Sequence, residues 1–178
     1  MKSLLILPLL AIATILTSCG GSGIEQPTVV RLEPAKYAGE WHEVGRLPNR
    51  FEKDLVAAKA TYALQKDGSL KVTNDGLKAD GEKTSIEGAA TVPDPKQPGR
   101  LKVRFDPFPA SLFAGDYWVL ALTDDYRKAL VGSPNQNFLW VLSKNAKDTK
   151  DDFAPFLKIA ADLGYATGDI YWNPKRME

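Results

Sequence analysis

One cysteine and one histidine are all that this 178-residue chain offers to thiol or imidazole chemistry. Cys19, being alone, can form no intramolecular disulfide. Together with His42 it falls short of a zinc or haem ligand set, so no metal and no cofactor is expected. An excess of either charge is missing as well: 23 basic against 22 acidic side chains leave +1. Without a basic patch interleaved with aromatics, nucleic acid is excluded as a partner. No repeat recurs along the chain, and its length suits a single domain. Catalytic groupings are equally scarce. His42 alternates outward beside Trp41 with no serine and acid arranged around it. The paired carboxylates Asp124-Asp125 and Asp151-Asp152 fall in a turn and at a helix start, where local hydrogen bonding accounts for them. No catalytic residue is assigned.

Long apolar runs are limited to the N-terminus. After Met1-Lys2, Ser3 to Ile15 is almost entirely apolar, about 12 residues where a membrane span needs roughly 20. Leu16-Thr17-Ser18-Cys19 and the flexible Gly20-Gly21-Ser22-Gly23 follow, and together they resemble the lipobox of bacterial lipoproteins. That resemblance implies a signal peptide over residues 1–18, lipidation of Cys19 and anchorage in a membrane. Gly20 after the cysteine resembles the pattern sorted to the outer membrane, facing the periplasm. Residues 19–34 read as a lipidated tether, kept mobile by Gly and Ser and extended by Pro27 and Pro34.

From residue 35 to 178 the chain alternates as a β domain. Trp41 opens a strand two residues after Gly39, which allows a tight bend. Ala58, Ala60, Tyr62 and Leu64 share one face of the next strand, and Lys66-Asp67-Gly68-Ser69 is a hairpin signal. Leu70, Val72 and Asn74 continue inward, with Asp75-Gly76 a candidate bulge; Ile86, Gly88 and Ala90 follow on another strand. Leu101, Val103 and Phe105 alternate with three cations. Trp118, Leu120 and Leu122 are assigned one inward face, then Ala129 with Val131, then Phe138, Trp140 and Leu142. Eight such strands, each polar on one side, hide their edges best by closing into an antiparallel up-and-down β-barrel. Phe153, Phe156, Leu157, Ala160 and Leu163 then fall at helical spacing, with the cap expected at Asp151 or Asp152 and the stop at Gly164. Asp169 to Trp172 reads as a short final strand.

The run Tyr37-x-Gly39-x-Trp41-x-Glu43-Val44, followed by Leu47-Pro48-Asn49-x-Phe51-Glu52, resembles the opening motif of lipocalins, most closely of their bacterial lipoprotein branch. Thr123-Asp124-Asp125-Tyr126 resembles the second lipocalin motif. Lys144 stands where the third usually places an arginine over the motif-one tryptophan. The resemblance implies that Gly39, Trp41, Thr123, Asp124, Tyr126 and Lys144 close and brace the barrel without touching ligand. Lys144 would set a cation over Trp41, without the fork that could also reach backbone carbonyls. An eight-stranded barrel has room for side chains or one small ligand, lipocalins being the standard example of the second.

The implied ligand is a small hydrophobic molecule, a fatty acid or lysophospholipid. Its cavity would be lined by Ala60, Tyr62, Val72, Asn74 and Ile86 from the first strands. Val103, Phe105, Trp118, Val131, Phe138 and Trp140 would line it from the later ones. Small residues on these faces (Ala58, Ala60, Gly88, Ala90, Ala129) leave space inside. Two alternatives stay open: a structural envelope lipoprotein with a filled barrel, and a lipid-modifying enzyme on the same scaffold. Phe108, Leu112 and Phe113, in a loop, offer a patch for a homodimer partner or for the membrane.

Overall fold

A computed structural model describes residues 28–29, 31–106 and 115–177. The lipobox with Cys19, and the loop bearing Phe108, Leu112 and Phe113, lie outside the described residues. Eight strands form the wall: β1 (Gly39–Arg46), β2 (Leu55–Leu64), β3 (Leu70–Lys78), β4 (Lys83–Thr91), β5 (Arg100–Asp106), β6 (Gly115–Leu122), β7 (Lys128–Gly132) and β8 (Leu139–Ser143). Each pairs antiparallel with its successor, and β8 returns to β1, so the sheet closes on itself. Closure leaves no long edge exposed to another chain. A short α1 (Pro34–Tyr37) precedes β1, and α2 (Ala154–Asp162) packs outside.

The seam is uneven. β1 pairs with β2 only from Gly39 to His42, and past a bulge between Glu43 and Gly45 the strands diverge. The free edge of β1 at Gly45 and Arg46 is taken by β9 (Tyr171–Trp172).

Apolar mass gathers in two clusters, one on each side of the wall. The inner one includes Tyr37, Trp41, Tyr62, Leu70, Val72, Leu101, Val119 and Leu142. The outer one joins Val44, Leu120, Leu130, Val141 and Ile170 to Phe153 and Ala160, with Phe156, Leu157 and Leu163 packed against it. The helical stripe read from the sequence therefore meets the barrel as expected. Its start differs: a 3-10 turn (Lys150–Phe153) precedes the helix and is capped by Thr149 and not by either aspartate. Thr149 and Asp152 form a reciprocal capping box, which a serine or threonine three residues before an acid makes best.

Three further expectations are corrected. Trp118 and Leu120 lie in the outer cluster, because a bulge between Val119 and Ala121 resets the alternation of β6. Tyr117 and Val119 face inward in their place. Gly76 is regularly paired with Ala58 and Thr84, and the bulge in that ladder sits at Leu55 to Ala57. The chain is docked before Pro34: Val29 N donates to Val119 O at 2.9 Å, Leu32 is buried in the inner cluster, and Glu33 N donates to the Tyr126 hydroxyl. This segment and α1 cover the end of the barrel where β1 begins.

Candidate functional site: the barrel interior

The covered end is built on Trp41. Gly39 takes φ +109°, a conformation a side chain resists, and turns the chain so that Trp41 enters the interior with no exposed surface. Trp41 Nε1 donates to Tyr37 O at 2.8 Å, and the two rings stack with centroids 4.8 Å apart. Lys144 Nζ stands 4.9 Å from the Trp41 ring centroid. It also donates to Lys36 O and Ala38 O, at 2.8 and 2.7 Å, tying the end of α1 to β8. The ammonium thus reaches backbone carbonyls without a guanidinium fork. Thr123 braces the β6–β7 turn: its hydroxyl donates to Asp125 and accepts from Arg127 N and Lys128 N. Tyr126, at φ +57°, turns its hydroxyl toward Glu33. Asp124 is in the same turn.

Above this floor the interior face changes character. Leu70, Val72 and Leu101 are 2% exposed or less. By contrast Ala60, Asn74, Ile86, Phe105, Tyr117 and Trp140 keep accessible surface. The register places Ala60, Asn74 and Ile86 side by side across β2, β3 and β4, and Tyr62 beside Val72 one step nearer the floor. Of the residues expected to line a cavity, Ala60, Tyr62, Val72, Val103, Phe105, Val131 and Trp140 belong to the inner cluster. Phe138 stacks on Trp140 at 5.6 Å and on Phe51 at 6.2 Å, running aromatic surface from the interior to the rim. Trp118 sits outside, with the Arg100 guanidinium 4.4 Å from its ring.

Two polar groupings had no clear sequence signal. In the first, Tyr37 and Tyr117 hydroxyls are 2.6 Å apart, and Tyr62 donates to Tyr117 at 2.9 Å. Burial pushes all three phenols above their ordinary value, so each keeps its proton. Tyr117 was hidden by the β6 bulge.

The second grouping fills the divergence between β1 and β2. Arg46 Nη1 donates to Glu43 Oε1 and Asn173 Oδ1, both at 2.7 Å, and Nη2 donates to the carbonyls of Glu52 and Leu55. Asn173 donates in turn to Glu43, and Trp140 Nε1 donates to Glu52 Oε2 at 3.0 Å. Burial, reinforced by the charge of Glu52, pushes the Glu43 carboxyl up to about 8 against the pull of Arg46. The guanidinium thereby bonds the strand edge that β2 leaves behind. No alternation rule marks Asn173, 130 positions from Glu43, as its partner.

The mouth-to-floor gradient, the motif-one tryptophan under a lysine and the helix outside decide the family. A family model for the lipocalin-like domain matches residues 32–175. The chain is a lipocalin. This lipocalin is 36% identical over 156 residues to temperature-induced lipocalin-1 of Arabidopsis thaliana, across 85% of this chain and 83% of that one. It is 32% identical over 173 residues to outer membrane lipoprotein Blc of Escherichia coli (strain K12), across 94% and 96%. Among solved structures, insecticyanin from the tobacco hornworm Manduca sexta matches at TM-score 0.67 and 25% identity, over 84% of each chain. Lipocalins bind small hydrophobic ligands and are in general binding proteins rather than enzymes.

Proposed function

We propose that this lipocalin holds a fatty acid or lysophospholipid in its barrel, acting as a lipid store or carrier of the bacterial envelope, moored to the outer membrane through an acylated Cys19. The observation that carries the proposal is the gradient along the inner face: sealed around Trp41, Leu70 and Val72, accessible at Ile86, Phe105 and Trp140. A wall lined with apolar and aromatic groups that stay reachable suits an acyl chain. The likeness to an outer membrane lipoprotein over 94% of the chain supports the location. Two acyl chains or more on Cys19, at about 0.8 kcal/mol per buried CH₂, would hold the protein firmly. Binding without turnover is the reading for the bound lipid.

Trp140 makes the test direct. It is the one tryptophan on the accessible part of the inner face; Trp41 is sealed, and Trp118 and Trp172 are outside. Adding lysophosphatidylcholine or palmitate to the full chain should give a saturable emission change that Trp140→Phe abolishes. No saturable change, with no lipid co-purifying in native mass spectrometry, would instead assign the protein a structural role in the envelope. Replacing Cys19 with Ala should release the protein from membranes.

A further inference from the structure

The three tyrosines on the floor contain more protons than they have bonds for. Three phenols carry three O–H groups, and two hydrogen bonds join them. One proton is left over. Were it on Tyr37, a donor would be stranded on a residue with no exposed surface, packed on Trp41, which is costly. Tyr62 spends its own proton on Tyr117. The arrangement of lowest cost has both neighbours donating to Tyr117, the one of the three that is only partly buried. The Tyr117 O–H then points into the barrel. Asn74, one interior step toward the mouth from Val72, adds a buried Oδ1 with no hydrogen-bond partner. An alkyl chain end would leave both groups unanswered.

We infer that the floor of the cavity is a hydrogen-bonding subsite, in which the Tyr117 hydroxyl, backed by Tyr37 and Tyr62, donates to a neutral oxygen on the buried end of an acyl-chain ligand. The inference rests on the barrel interior being a lipid cavity. Neutrality follows from the surroundings. The Lys144 ammonium lies across the Trp41 ring and is engaged by the Lys36 and Ala38 carbonyls, whereas the Glu52 carboxylate acts on Tyr62. Arg46, the buried arginine of the wall, is bonded to Glu43, Asn173 and two carbonyls. A carboxylate on the floor would be desolvated without a counter-charge. A hydroxyl or carbonyl would find a donor, and a hydroxyl could in turn donate toward Asn74. The preferred ligand is therefore a chain oxygenated at the end remote from its headgroup.

The probes are linear fatty acids of 12, 14 and 16 carbons, each beside its ω-hydroxy analogue, titrated into the full chain by Trp140 emission. In a purely apolar floor the added hydroxyl is desolvated without a partner, and binding weakens about tenfold or more. The subsite predicts that at one or more chain lengths the ω-hydroxy acid binds as tightly as its parent or up to about tenfold more tightly. Tyr117→Phe should weaken the ω-hydroxy acid about tenfold or more relative to its parent acid. Tyr62→Phe, which spares the Tyr37–Tyr117 bond, should retain the native ratio. Weaker binding of the ω-hydroxy acid at every length in the native protein would overturn the subsite, and needs no variant to fold. A native ratio that survives Tyr117→Phe would overturn it equally. Absence of binding by any acid would instead defeat the lipid-cavity reading, so the two failures are distinct.

Discussion

A single ammonium does two jobs at the floor. Lys144 caps the Trp41 ring and satisfies two carbonyls at the end of α1. Replacing it by Met keeps the stem and removes both interactions, so the urea midpoint should fall by the equivalent of about 1–3 kcal/mol at unchanged slope. Lys144→Arg should recover most of the loss. Glu43 answers a different question, through pH. In the folded chain burial keeps its proton on up to about pH 8, whereas the unfolded chain releases it near the ordinary glutamate value. The stability this provides is complete below that ordinary value and is lost as pH rises to about 8, by at most about 1.4 kcal/mol per pH unit. His42, whose pKa burial lowers, acts in the opposite sense: its contribution is gained as pH rises toward the ordinary histidine value. The difference between Glu43→Gln and the native protein isolates Glu43. Urea midpoints from pH 5 to 8 should decline less in the variant. An equal decline in both would place the carboxylate's titration elsewhere.

At the scale of elements, the outer helix is held by its start. Thr149→Ala removes the Thr side of the capping box and should cost about 1 kcal/mol, read from the loss of helical signal and the thermal midpoint. β9 is held by an absence of side chain. A Cβ on Gly45 would lie 2.7 Å from Trp172 Cε3 and 3.0 Å from Ile170. Gly45→Ala should therefore push β9 off β1 and cost about 1–3 kcal/mol in chemical denaturation. What the sequence disclosed follows from periodicity. Leu101, Val103 and Phe105 between three cations can face only one way, and the stripe from Phe153 to Leu163 fits only a helix. What it hid follows from breaks in periodicity. The β6 bulge adds one residue with no glycine or proline to mark it, so Trp118 and Tyr117 exchange sides of the wall. The Glu43–Arg46–Asn173 network depends on a contact across most of the chain. By composition Asp151 and Asp152 are as good caps as Thr149; only the bonds from Thr149 N and Oγ1 to the Asp152 carboxylate tell them apart.

The whole molecule is asymmetric. β6, β7, β8 and the far half of β1 are sandwiched between the inner cluster and the layer of α2, Tyr165 and Ile170. The outer face of β3 to β5 carries Lys71, Glu87 and Lys102 in solvent, in surface ion pairs worth little. The two halves meet at the seam where β1 leaves β2, and there the last elements of the chain do the closing. Trp172 and Tyr171 pair with β1, Asn173 N donates to Val44 O, and the Asn173 side chain joins Glu43 and Arg46. Ending the chain after Gly168 would strip the β1 edge and leave the Arg46–Glu43 pair short of a partner. The expected result is local. Amide exchange should accelerate at residues 44–46 and 55–58 well before it does in β3 and β4. Because the same seam flanks Trp140 and Glu52 at the accessible part of the interior, ligand release should quicken in parallel. Uniform loss of protection around the barrel would show that β9 supports the fold as a whole and does not specifically close the seam.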